Sequence, residues 1–551
     1  MKQHPFLLML FCSLLAFSMN AQEKEPAKIR IEYAGSFDVD EDKFPGASIF
    51  SKDATKRVKF VHEGAELFCD RAVFYKKSNN LKAWGQVIFQ QGDTIKQTSG
   101  YIEYNGNTKL AKSHTDVKLT TPEQTLETDT LYFDREREVA YYRSFGTVKD
   151  SANVLTSDKG RYFLAQKKYQ FVSDVVITHP DYVLNSAQLD YYTDAGNAYL
   201  YGPSTITGEE YKIYCERGFF DTTNDNGYFI KNSRIDYNNR IIEGDSLYFD
   251  NIRKFASATN NIQVTDTIND GIVRGHYAEV FKEKDSVFIT KRAVAINLVE
   301  KDSVYIHADT LMVTGKPDHR IIRGFYNAKF FKSDMSGKAD SIHVDNKTGI
   351  TQLIRDPIMW SGESQMTGDS IYILSNLETE KLDSLKIINN AFIVQKDTLS
   401  NDAFNQVQGV NLYGKFIDNA LRDVDVVKNT EIVYYMREES GELVGIDKTI
   451  CSTKINLILE ENQITDITFF TDVDGDMYPE ADLPPNARKL KGFIWREDEW
   501  IKKKDDIFDE DDNNIELVKI RGLEERVDID LELPGEEEEE IPKKSKPKKK
   551  K

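Results

Sequence analysis

The chain has 551 residues and a formal net charge of −19, which excludes the clustered Lys and Arg that nucleic-acid binding requires. Its 31 Phe and 27 Tyr against only 14 Pro favour strands over disorder or long helices. Past the first residues, no unbroken apolar stretch is long enough to cross a bilayer as a helix.

In chain order, Lys2 precedes an apolar run from Phe6 to Phe17, followed by Ser18-Met19-Asn20-Ala21. This is the layout of a secretory signal over residues 1–21, cut after Ala21. The run is too short for a stable spanning helix, and Phe11 before Cys12 does not fit a lipid-modified cysteine. The cysteines left after cleavage, Cys69, Cys215 and Cys451, are an odd and sparse set. They give neither a disulfide framework nor metal-ligand spacing, and read as buried free thiols.

A repeat of 29 residues follows. An anchor and the residue two places later run Val73/Tyr75, Ile102/Tyr104, Leu131/Phe133, Gly160/Tyr162, Leu189/Tyr191, Gly218/Phe220 and Leu247/Phe249. All seven second members are aromatic. The series loosens to Ala278/Val280, Leu311/Val313, Ile342/Val344 and Ile371/Ile373. The alternation places anchor and partner on one strand face. Seventeen places after the anchor come Leu119, Val148, Ile177, Ile206, Ile235 and Val264, a second strand. Asn-, Asp- and Gly-rich turns at 78–80, 105–107, 194–197 and 224–227 separate the two.

A unit that returns to the same phase stacks on its neighbour, because one coil cannot bury its own apolar face. The fold class read from this is all-β, a β-jellyroll or β-solenoid of stacked coils with two facing sheets. Eleven anchors at one strand spacing each predict a rod of roughly 50 Å. Regular coils occupy 28–270 and a less regular continuation or second unit 271–470. An acid two places before many anchors (Asp129, Asp158, Glu216, Asp245, Asp309, Asp340, Asp369) reads as solvated at the start of a strand.

A closing segment spans 471–500. Its Asp472-Val473-Asp474-Gly475-Asp476 lacks the EF-hand spacing, since Leu483 stands where the bidentate acid belongs. The stretch 501–551 is charge-dense, with Glu536 to Glu540 and a Lys run from Lys543, and reads as a largely disordered tail. No nucleophile–base motif, metal cluster or phosphate loop appears, so no enzymatic activity and no cofactor are expected. A carbohydrate-active β-helix remains an alternative, as its carboxylate site needs no linear motif. A structural or adhesive solenoid without cargo is the other.

Units such as Cys69-Asp70-Arg71-Ala72-Val73-Phe74-Tyr75 and Lys82-Ala83-Trp84-Gly85-Gln86-Val87-Ile88-Phe89 resemble the OstA-like (organic-solvent-tolerance A-like) domain. The resemblance spans roughly 28–440. Gly475-Asp476-Met477-Tyr478-Pro479 with Leu490-Lys491-Gly492-Phe493-Ile494-Trp495-Arg496 is similar to the closing signature of long members from Bacteroidota. The resemblance implies a jellyroll open along one side, with lipid A acyl chains of lipopolysaccharide riding inside and head groups in water. It also implies a periplasmic location, in association with the outer membrane, and end-to-end docking with other jellyroll proteins. The unpaired strand groups at the two open ends of a solenoid make strand addition the expected mode, with inner- and outer-membrane jellyroll partners. The residues expected to line the slot are Leu131, Phe133, Leu189, Tyr191, Leu247, Phe249, Leu311 and Val313.

Overall fold

Asn and Asp tolerate the left-handed backbone better than other non-glycine residues, and the fold is built on that tolerance. A computed structural model describes residues 27–526, except 300, 301, 380, 401, 461, 462 and 524. The signal-like start and the Glu536–Glu540 and Lys blocks lie outside the described residues.

The long strands bend at mid-length. In alternate strands the bend is a pair of left-handed residues such as Thr115-Asp116, Ser173-Asp174, Lys231-Asn232 and Asn260-Asn261, and later Tyr326-Asn327 and Asn389-Asn390; Thr471-Asp472 stands in the same place between two short strands. On either side of it the strand belongs to a different wall. Tyr182–Tyr192 and Asn197–Gly208, for example, pair antiparallel on both sides of a register break between Ser186 and Gln188. Successive bends align into a crease, and the sheet folds along it like a book.

The all-β, two-walled reading of the sequence holds, and the pairing directions explain its period. The 29 residues are one antiparallel hairpin, whose two strands each cross both walls. Anchors and partners (Leu189 and Tyr191, Leu247 and Phe249) point inward from one wall, here the anchor wall. Ile177, Ile206, Ile235 and Val264 point inward from the opposing wall. Each unit therefore supplies two rungs per wall. Among the described residues each wall is a ladder of twenty-eight strands, about 130 Å long at ~4.8 Å per rung. The expectation of roughly 50 Å counted one rung per unit and only the regular anchors, and is corrected here. A single core cluster runs from Ile29 to Leu459, so the regular and less regular regions share one interior.

The repeating acid sits at the crease: Asp158, Asp309 and Asp369 directly precede the strands Lys159–Phe163, Thr310–Thr314 and Ser370–Ser375, as expected, while Asp340 falls at the bend inside Met335–Asp345. The amides of Asp158, Asp309, Asp340 and Asp369 donate to the carbonyls of Ser173, Tyr326, Arg355 and Asn389, the first residues of neighbouring bends. The second residue of the bend often returns the bond. Asn232 donates to Glu216 and Asn261 to Asp245, both at 2.8 Å, and Asn390 to Asp369 at 2.9 Å. The acid recurs because it ties one rung's bend to the next.

After the last rung, Asp474–Tyr478, the chain turns back as a strap along the outside of the opposing wall, crosses the crease at Asn260 and ends on the outside of the anchor wall. Leu483, Leu490, Phe493 and Trp495 cover Phe392, Phe404, Val433 and Tyr435. Ile501 and Ile507 pack with Val294, and Arg526 reaches Asp190 at 3.2 Å. Three amides clasp the strap backbone at two points each. Gln406 holds Arg488 O and Leu490 N at 2.9 Å. Gln365 holds Ile494 O at 2.7 Å and Arg496 N at 2.8 Å. Asn260 holds Val518 O at 2.7 Å and Val518 N at 3.1 Å. The expectation of a disordered tail from 501 fails over its described part. Several charges there are partnered, as in Lys329–Asp509 at 2.6 Å and His307–Asp512 at 3.2 Å.

Candidate functional site: the space between the walls

The free turns of the two walls meet along a seam opposite the crease. Over much of its length the seam is latched by polar bridges between them. Tyr104 meets His62 at 2.7 Å, and Arg135 donates to Gln91 at 2.9 Å. Gln124 donates to Tyr169 at 3.0 Å, Tyr191 to Asp150 at 3.0 Å, and Tyr211 to Asp225 at 2.9 Å. Several of these rings are core aromatics whose hydroxyls reach the rim, the two-ended use that suits Tyr. The last bridges in the series are Arg240 to the carbonyl of Asp285 at 3.2 Å and Arg320 to Asp266 at 2.9 Å.

Past Arg320 the walls stand apart around a cavity of about 680 Å³. Ile306, Phe330 and Met335 line it from the opposing wall, and Ile342, Val344 and Ile373 from the anchor wall. The sequence explains the position. Partner residues are Tyr or Phe from Tyr104 to Phe249 and change to Val280, Val313, Val344 and Ile373. An aromatic ring fills the interior, whereas a branched aliphatic leaves part of it empty.

The residues expected to line a slot fall outside this cavity. Leu131, Phe133, Leu189, Tyr191, Leu247, Phe249 and Leu311 are all buried in the shared core, and none of them lines the 680 Å³ cavity. Val313 borders a smaller cavity of about 40 Å³ next to it. The lining residues missed from the sequence, Ile306, Phe330, Met335, Ile342, Val344 and Ile373, were signalled by the loss of aromatic partners.

The thiols of Cys69 and Cys215 are buried, and burial pushes both up to about 12. At neutral pH neither offers a thiolate for nucleophilic chemistry. Among the described residues, no group of three or more His, Cys, Asp or Glu is placed to hold a metal ion. At the end of the seam, burial and the nearby Arg320 lower the pKa of Arg240. Burial would raise Asp266, but hydrogen bonds from the Ile268 amide and Asn269, and the charge and hydrogen bond of Arg320, hold it below the usual carboxylate value.

An antiparallel β-jellyroll folded on a crease, with an apolar interior that opens at one stretch of its seam, is the class that this architecture defines. Residues 27–187 match the family model for OstA-like protein, so the resemblance carried by the repeat is borne out over that span. The crystal structure of LptH, described as the LptA homologous periplasmic component of the conserved lipopolysaccharide transport device from Pseudomonas aeruginosa, is 14% identical. That match covers 27% of this chain and 99% of the other, with a TM-score of 0.20. No curated protein matches the chain.

Proposed function

We propose that this chain is a periplasmic lipid carrier that shields the acyl chains of lipopolysaccharide and bridges its transport from inner to outer membrane. The observation that carries the reading is the cavity between the walls, where Ile306, Phe330, Met335, Ile342, Val344 and Ile373 stand beside polar residues such as Asn269, Asp270 and Lys332, open where the latched seam ends. Each acyl CH₂ taken out of water is worth about 0.8 kcal/mol, so a multiply acylated lipid gains strongly by entering it. The OstA-like match at 27–187 supports the same reading. Cargo chains sit in the stretch lined by Ile306, Phe330, Val344 and Ile373, and passage along the latched stretch requires its Tyr and Arg bridges to part.

The ends of the rod supply the docking surfaces. Arg30–Tyr33 and Ser36–Asp38 are the outermost described rungs at one end, and Gln463–Phe470 and Asp474–Tyr478 at the other. Each pairs on one side only, leaving backbone groups for an added strand. In this proposal the first end meets an inner-membrane-anchored jellyroll and the other an outer-membrane one.

The test is photocrosslinking in cells, with the photoreactive residue at Ile306, Val344 or Ile373 and, for comparison, at Phe133 or Phe249. Lipopolysaccharide should label the first set strongly and the second weakly. The packed interior between Tyr104 and Phe249 favours a second reading, a spacer without cargo. No lipid adduct at any position, with no lipid co-purifying by mass spectrometry, would select the spacer.

A further inference from the structure

Where the latched seam gives way to the open cavity, two arginines are buried together. Arg320 is only 2% exposed and Arg240 6%, and both line the 40 Å³ cavity. Asp266 is the one carboxylate among its lining residues. Arg320 donates Nε to Asp266 at 2.9 Å and a second nitrogen to the carbonyl of Gly315, while its remaining nitrogen, Nη2, is buried without a hydrogen-bond partner. Asp266 is heavily committed already. It accepts from Asn239 at 3.2 Å, from Asn269 at 3.2 Å and from the amides of Ile268 and Asn269 at 3.1 and 3.3 Å. Arg240 has a backbone carbonyl, that of Asp285, as its hydrogen-bond acceptor.

Within the cavity lining two guanidinium groups face one saturated carboxylate, with the charge of Asp285 acting on Arg240 from outside that lining, and the buried Arg320 Nη2 is unsatisfied, an arrangement that a bound anion completes. The space suits a small one, since about 40 Å³ holds roughly three waters or one tetrahedral oxyanion. Guanidinium donors match phosphate oxygens in geometry as well as charge. The small cavity also adjoins the large one. Asn269, Asn297 and Asn346 line both.

We propose that Arg240 and Arg320 form a phosphate-binding cradle that fixes the head group of a phosphorylated lipid whose acyl chains lie in the adjoining cavity. This rests on the lipid-carrier reading and adds a chemical requirement to it. The cradle sets where along the rod the cargo halts, because the head group is gripped at the point where the seam stops.

The test is calorimetric titration of the full purified chain with lipid A, with the same lipid stripped of its phosphates, and with inorganic phosphate. Lipid A should bind at least tenfold more tightly than the dephosphorylated form, and in Arg240→Gln that ratio should fall below about twofold. Arg240 is the position to change, because the Arg320–Asp266 pair stays intact; the comparison of ligands on the unmodified chain decides the matter even where the variant does not fold. Equal affinity for the two lipids overturns the cradle and leaves the carrier standing. Binding of neither lipid overturns both. Inorganic phosphate binding as tightly as lipid A would assign the cradle to a free oxyanion and overturn the head-group assignment.

Discussion

A single substitution pattern, aromatic to branched aliphatic at the partner position, decides where the interior is full. Phe249 is fully buried among Tyr211, Tyr237 and the facing wall, so Phe249→Ala should cost about 3–5 kcal/mol, read as a shifted denaturation midpoint. Val344 stands at the equivalent place in the open stretch. Val344→Phe restores the upstream pattern there. Overpacking usually costs about 1–3 kcal/mol, but the cavity gives this ring room. The variant should therefore keep its melting temperature and bind lipid about tenfold more weakly. Undiminished lipid binding would show that the cavity does not take the chains. This much was legible in the sequence, because the series Tyr104 to Phe249 and then Val280 to Ile373 is plain once side-chain volume is read as well as hydrophobicity.

Among elements, the strap differs from the rungs in what holds it. Backbone ladders hold the rungs, while side-chain clasps and ion pairs hold much of the strap. Arg496 and Lys338 pull Glu499 down to about 2. Asp512, hydrogen-bonded to His307, and Asp509, bonded to Lys329, lie below the usual value although burial opposes it. A carboxylate depressed by folding stabilises above its unfolded value and loses that contribution as pH falls through the folded one. Strap docking should thus be complete above about pH 4.5 and weaken progressively toward pH 2. Hydrogen exchange of residues 496–512 should show protection falling over that window before the wall strands lose theirs; simultaneous loss would mean that strap and walls form one cooperative unit. The sequence hid this element, since Asp and Lys dominate around Ile501, Ile507 and Phe508 and composition alone reads as solvated.

On the scale of the whole molecule, periodicity gave the spacing of the rungs but not the direction of their pairing. Asn or Asp at 116, 174, 232 and 261 marks bends at multiples of the 29-residue step. Without coordinates these residues are indistinguishable from ordinary turn residues, so the crease and the doubled rung count were missed. The resulting rod ends in unpaired strands, and a test of docking belongs there. Ile467→Pro in Gln463–Phe470 removes a donor from a strand paired on one side only. It should reduce capture of a partner jellyroll at least tenfold while lipid binding at the distant cavity is retained. Unaltered capture would place the contact elsewhere.

The strap also imposes an order of events. Residues 483–526 follow every described rung yet lie across rungs as early as the one carrying Asp190. Hairpins can therefore register one after another as polypeptide emerges, but Phe392, Phe404, Val433 and Tyr435 stay bare until the later-made strap arrives. The strap is a late stitch, and a chain broken off before Leu483 shows a greasy flank of the kind that quality-control proteases and chaperones recognise.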